Sequence, residues 1–153
     1  MEVHLPPGGT LPGPPSSAQI ARPLPPEQDS PSAARNLVAD VCHAWQLLPL
    51  LHAGRAVVSE LVANAVEHAR TDLTLTVSLR GCGLHLAVRD GSPILPRRRE
   101  LARPVPGRPL DERGHGLRVV EAESTAWGAM PVAGGKVVWA VVRRRASRSR
   151  RPW

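Results

Sequence analysis

Apolar residues recur at helical spacing in two successive stretches of the chain. In SAARNLVADVCHAWQLL, Leu37, Val41, Ala44 or Trp45, and Leu48 fall on one stripe, which predicts a helix. Ser30 and Pro31 suit its start, the serine as a cap and the proline in the first turn, and Pro49 would end it. A second helix is expected from about His52 to Ala69. Beyond it the period changes to two. DLTLTVSLRGCGLHLAVRD alternates apolar and polar residues around Gly81-Cys82-Gly83, the pattern of a β-hairpin. TAWGAMPV and KVVWAVV repeat that pattern around Ala133-Gly134-Gly135. Residues 91–113, between the hairpins, have no clear period and carry several Pro and Arg. A loop of that length inside a compact domain is as a rule functional or mobile. GHGLRVVEAES then reads as a glycine turn opening a short helix. The order helix, helix, hairpin, loop, helix, hairpin predicts an α/β fold. Its form would be a two-layer α/β sandwich, with helices on one face of a mixed, mainly antiparallel sheet.

The two ends depart from this pattern. Residues 1–30 are rich in Pro and Gly and cannot bury enough apolar surface to offset their ordering entropy, so a disordered arm is expected there. Within it, AQIARPL is suited to an edge strand where the domain begins. The domain itself would span 31–142, and an Arg-rich tail, RRRASRSRRPW, follows at 143–153. The formal charge of +7 first suggests a nucleic-acid partner. Removing the tail's six Arg leaves 14 basic against 13 acidic residues, so the body is close to neutral and the charge belongs to a solvated tail. Nucleic acid is therefore not the expected partner. If the tail did bind it, affinity would fall steeply with salt and vanish on deletion of 143–153.

Aromatic residues make up 3% of the chain and all are Trp, so Leu, Val and Ala must fill the core. Cys42 and Cys82 lie far apart with no Cys-x-x-Cys pair, which argues against a structural metal site and for two small fillers in a reducing compartment. No run approaches the ~20 apolar residues of a membrane span. The start lacks a basic segment followed by an apolar core, so no signal peptide is expected, and a cytoplasmic location follows.

Three stretches carry candidate chemistry. In SELVANAVEHA, positions 60, 64, 67 and 68 share one helix face, beside an apolar face at 58, 61, 62, 65 and 69. Glu60, Asn64, Glu67 and His68 are either the solvated side of an amphipathic helix or a functional stripe. Asn in a helix interior weighs for the second, because its side chain competes with the backbone. Asp90-Gly91-Ser92-Pro93 directly follows a strand and is otherwise a plain turn. Gly114-His115-Gly116-Leu117 opens a helix and is either a hinge or a backbone that can approach a phosphate.

Taken in order, VVSELVANAVEHA, LAVRDGSP, ERGHGLRVVEAES followed by TAWG, and GGKVVWA resemble the GHKL nucleotide-binding superfamily of gyrase-type ATPases, a heat-shock chaperone and histidine kinases. Within it the chain looks most like the anti-sigma-factor serine/threonine kinases and their small regulatory relatives. The resemblance covers about residues 31–142 and implies a Bergerat-type ATP-binding fold. It implies ATP and Mg²⁺ as cofactors. Asn64 would ligate the metal, for which one amide oxygen with phosphates and waters is sufficient. Glu60 would be the general base on the attacking hydroxyl. Asp90 would accept a hydrogen bond from the adenine amino group, and Gly91 would let the backbone approach the ring. Gly114, His115, Gly116 and Leu117 would form the phosphate cradle and the helix behind it. Lys136 belongs to the nucleotide-binding set through the Gly-Lys of the last hairpin. Residues 91–113 would be an ATP lid, ordered by nucleotide, and His68 would sit behind the first set of contacts.

The implied partners are a sigma factor and an anti-anti-sigma-type antagonist protein, and the branch implies a homodimer. Three positions depart from the pattern. Val137 stands where the family commonly has a Thr holding an adenine-bound water, His115 where Arg is more usual, and Ser92-Pro93 where larger ATPases have Gly-x-Gly. A missing hydroxyl would weaken binding by ~1 kcal/mol. Two functions remain open on these residues: an active serine/threonine kinase, or a catalytically silent nucleotide- or partner-binding regulatory module.

Overall fold

The computed structural model describes residues 17–96 and 112–144, with side chains described for 18–96 and 118–144. The expectations for residues 1–16, for the greater part of the lid including Arg97, Arg98 and Arg99, and for most of the Arg-rich tail fall outside the described residues. The chain enters as strand β1 (Ser17–Leu24). Helices α1 (Ser30–Ala44) and α2 (Leu51–His68) follow, joined by a 3₁₀ turn at Leu48–Leu50. Strands β2 (Leu73–Arg80) and β3 (Gly83–Asp90) form the first hairpin. Helix α3 (Glu112–Glu123) then leads into the second hairpin, β4 (Ala126–Val132) and β5 (Gly135–Arg143).

The result is a two-layer α/β sandwich. Its five-stranded sheet has the order β1-β2-β3-β5-β4. All four pairings among the described strands are antiparallel, so the mainly antiparallel sheet expected has no parallel pair among them. The reason lies in the second hairpin. The chain leaves β3, crosses by α3 and returns as β4 at the outer edge. The tight turn at Ala133-Gly134 then lays β5 between β4 and β3, antiparallel to both. At the other edge β1 pairs with β2 along its whole length, so AQIARPL forms the edge strand expected of it, within the 1–30 segment otherwise expected to be a disordered arm.

Alternation on the strands builds one face of the core. Leu73, Leu75, Val77 and Leu79 of β2, Leu84, Leu86 and Val88 of β3, and Val138, Ala140 and Val142 of β5 are all buried. Val57, Val58, Leu61, Val62 and Ala65 of α2 close over them, with Ala34, Leu37, Val38 and Val41 of α1 behind. Trp45 is the largest side chain in this cluster. Helix α2 is thus the centre of the helical layer, with α1 and α3 on its flanks. Gly54 permits that position: a Cβ there would stand 3.1 Å from Val38 and 3.2 Å from Leu84, so the helix approaches both α1 and β3 closely.

Two helix ends differ from expectation. Ser30 does not cap α1. It is the first helical residue, and its hydroxyl donates to the Pro25 carbonyl at 2.6 Å. The helix stops at Ala44 rather than at Pro49. Gln46 takes a positive φ of 58° and the Leu47 amide donates to the Cys42 carbonyl at 2.8 Å, a left-handed C-terminal cap made without glycine. No described helix is long and apolar enough to cross a membrane.

Candidate functional site

The buried rows of β3 and β5 do not end in apolar residues. Leu84, Leu86 and Val88 are followed at the same period by Asp90, and Val142, Ala140 and Val138 by Lys136. Asp90 and Lys136 are direct partners in the register, so both charges point into the helical layer at one end of the sheet. Their exposures are 3% and 2%. The Lys136 Nζ donates to Asp90 Oδ1 at 3.0 Å and lies 2.9 Å from Oδ2. Oδ2 makes no aligned hydrogen bond and is balanced by charge alone. The Ser92 amide donates back to Oδ1 at 2.9 Å, the local turn that an Asp two residues upstream favours.

Gly135 makes the pairing possible. A Cβ at that position would collide with the carbonyl oxygen of Asp90. Gly91 is required on different grounds. Its amide donates to Thr71 Oγ1 at 2.8 Å, and a Cβ would stand 3.2 Å from that side chain. The glycine therefore serves packing against Thr71, which precedes β2.

A pocket of about 240 Å³ opens above this ion pair. Its lining is Asn64 and His68 from α2, Lys136 from β5, and Ser92, Ile94, Leu95 and Pro96 from the segment after β3. The structure therefore brings Asn64 and Lys136 to one cavity, with Asp90 directly beneath the lysine. Asn64 is half-buried and His68 exposed. Ile94 is 72% exposed, a large apolar side chain at the rim. Glu60, one turn before Asn64, lines a second groove with Arg35, Arg55, Ser59 and Val119. There Arg35 donates to Ser59 Oγ at 2.7 Å. The polar stripe of α2 is thus shared between two concavities.

Other candidates fall elsewhere. Gly114, His115, Gly116 and Leu117 lie inside α3, which starts at Glu112, so the helix begins ahead of the glycines rather than after them. Val137 is not beside Asp90. It pairs with Arg89 and faces the outer side of the sheet, because alternation sends neighbours on a strand to opposite faces. The residue across from Asp90 is Lys136, and counting back by twos from Val142 puts it on the inward row. Among the other histidines and tryptophans, His43 and His52 are exposed, and His85 stacks on Trp139 on the outer face, with centroids 6.0 Å apart.

The donor set suits a hard cation held mainly by its ligand. No group of three or more His, Cys, Asp or Glu that could hold a metal exists among the described residues. The Asn64 amide oxygen in the pocket is the sort of single protein donor with which Mg²⁺ is bound when phosphates and waters complete its shell. The base-reading role does not fit as well. A carboxylate with an exposed edge is needed to accept from an adenine amino group, and here Asp90 is covered and held by an internal ammonium.

No family model matches the chain, and no curated protein matches it in sequence. Among solved structures, the chain is similar in fold to the crystal structure of the RsbU and RsbW domains of Rv1364c from Mycobacterium tuberculosis. The TM-score is 0.58 at 17% identity, over 82% of this chain and 32% of that one. The chain thus spans about a third of the length of the protein it matches.

Proposed function

We propose that the chain is an anti-sigma-type regulatory protein that holds a Mg²⁺·nucleoside triphosphate, with ATP the nucleotide implied by its motifs. It would transfer the γ-phosphate to a serine of an antagonist protein and also bind a sigma factor. The observation that carries this reading is the meeting of Asn64, Ser92 and Lys136 in one pocket, where α2 crosses the ends of β3 and β5. The fold likeness to RsbU and RsbW domains supports it.

The bound Mg²⁺·nucleotide supplies the phosphoryl group and neutralises its charge, which is most of what phosphoryl transfer requires. Asn64 would hold the metal through its amide oxygen. Glu60 lies one helical turn before Asn64 and lines a second groove, and its carboxylate would accept the proton of the attacking serine hydroxyl. Arg35 and Arg55 give that groove positive charge, which suits an incoming phosphorylatable segment.

A second reading is a catalytically silent regulatory module. One observation favours it: the carboxylate expected to read adenine is already taken by Lys136. The two readings separate on Glu60→Gln. With γ-labelled ATP and an extract of the native host, the kinase labels a small protein on serine, and Glu60→Gln abolishes the label while nucleotide binding persists. The silent module gives no label even in the wild type.

A further inference from the structure

We propose that Lys136, rather than Asp90, is the group that reads the ligand at the closed end of the pocket, and that it selects a hydrogen-bond acceptor there. A purine with oxygen at position 6 would then be favoured over adenine. The inference rests on the nucleotide reading above and departs from the base that reading implies. Three observations carry it. Lys136 lines the pocket and keeps 3% of its side chain exposed, whereas the Asp90 carboxylate paired with it keeps none. The ammonium sits 3.0 Å and 2.9 Å from the two carboxylate oxygens. The Asp90 oxygen that makes the aligned bond to it also accepts the Ser92 amide.

The carboxylate is therefore a positioning residue. It fixes the position of the ammonium through the buried ion pair. An ammonium carries three donors and no acceptor, and one carboxylate does not use all three. What remains for a ligand is a donor. The amino group of adenine is itself a donor, so its approach to this end sets donor against donor. A 6-oxo group accepts from Nζ, while the covered Asp90 carboxylate offers the adenine amino group no acceptor. Specificity of this kind is strong because the wrong base leaves buried polar groups unpaired.

ATP and inosine triphosphate are the probes, since they differ only at position 6 and the adjoining N1 proton. Calorimetry on the wild-type chain with Mg²⁺ should show inosine triphosphate binding about tenfold tighter than ATP, the order of one charge-assisted hydrogen bond. Lys136→Met should erase that preference. Lys136 is the only lysine in the chain, so ¹⁵N-lysine labelling yields a single side-chain ammonium resonance. That resonance should shift when inosine triphosphate binds, an outcome independent of whether the variant folds. Equal affinities, a preference for ATP, or an unmoved resonance at saturating inosine triphosphate would overturn the proposal and leave the nucleotide reading standing. Failure of the folded wild type to bind ATP, inosine triphosphate or inorganic triphosphate would overturn both.

Discussion

Polar groups reach the pocket from two sides, and the sides are built differently. From the sheet come Asp90 and Lys136, the last members of two otherwise apolar rows, buried and committed to each other. From α2 come Asn64 and His68, half-buried and exposed, with Glu60 lining the second groove. Strand register dictates the first pair: once β3 and β5 align Leu86 with Ala140 and Val88 with Val138, the next pair inward can only be Asp90 and Lys136. No such constraint holds the helix stripe, whose side chains answer to whatever lies opposite. The first kind of polar group comes with its position fixed, and the second with room to adjust to a ligand.

Breaking the strand pair should have the largest effect. Lys136→Met leaves a buried carboxylate without its counter-ion, and thermal or chemical denaturation should register a loss of about 3–5 kcal/mol. The double substitution Asp90→Leu with Lys136→Met should recover most of that loss, because an apolar pair of similar volume is often neutral or stabilising. If the single and double variants were equally damaged, the pair would not be the isolated buried unit described above.

The apolar underside of α2 comes next. Gly54→Val would overpack the contact with Val38 and Leu84, at about 1–3 kcal/mol, measurable as a shift in the urea midpoint. The polar stripe of the same helix should be nearly silent in stability. Asn64→Ala should change the unfolding free energy by within about 0.5 kcal/mol, since Ala is the better helix former and the site is partly solvated. Its loss should appear in ligand binding instead.

The outer face offers a smaller test through pH. Burial and the charge of Arg80 lower the His85 pKa from its ordinary value. As pH falls through the unfolded value near 6.5, the unfolded chain takes up the proton first. The stability that His85 contributes is therefore whole above that pH and declines as pH drops towards the folded value. A His85→Gln chain should show a flatter melting temperature between pH 7 and 5 than the wild type. Smallest of all, iodoacetamide should label exposed Cys82 in the folded chain and spare Cys42, whose thiol burial pushes up to about 11.

Much of this was legible in the chain. The change from a period of 3.6 to a period of 2 marks α1, α2 and both hairpins, because each element buries one face and exposes the other. Gly81 and Gly134, at φ of 60° and 78°, sit in the two tight turns where the residue patterns put them. The end of α1 was not legible, since Gln46 adopts a left-handed backbone that sequence assigns first to glycine. Nor was the strand order: that β5 inserts between β3 and β4 is a consequence of tertiary pairing, and it is this insertion that faces Lys136 to Asp90. The alternation in KVVWAVV already separates Lys136 from Val137. What it lacked was the partner strand that says which of the two meets Asp90.

The proposed function places a metal-bound nucleoside triphosphate in the pocket between α2 and the ends of β3 and β5. Calorimetric titration of ATP and of inosine triphosphate, each with Mg²⁺, into the wild type and into Asn64→Ala tests it most directly. Both nucleotides should bind the wild type, and binding should collapse in Asn64→Ala while the fold is retained. Absence of binding by either nucleotide to a folded wild-type chain would contradict it.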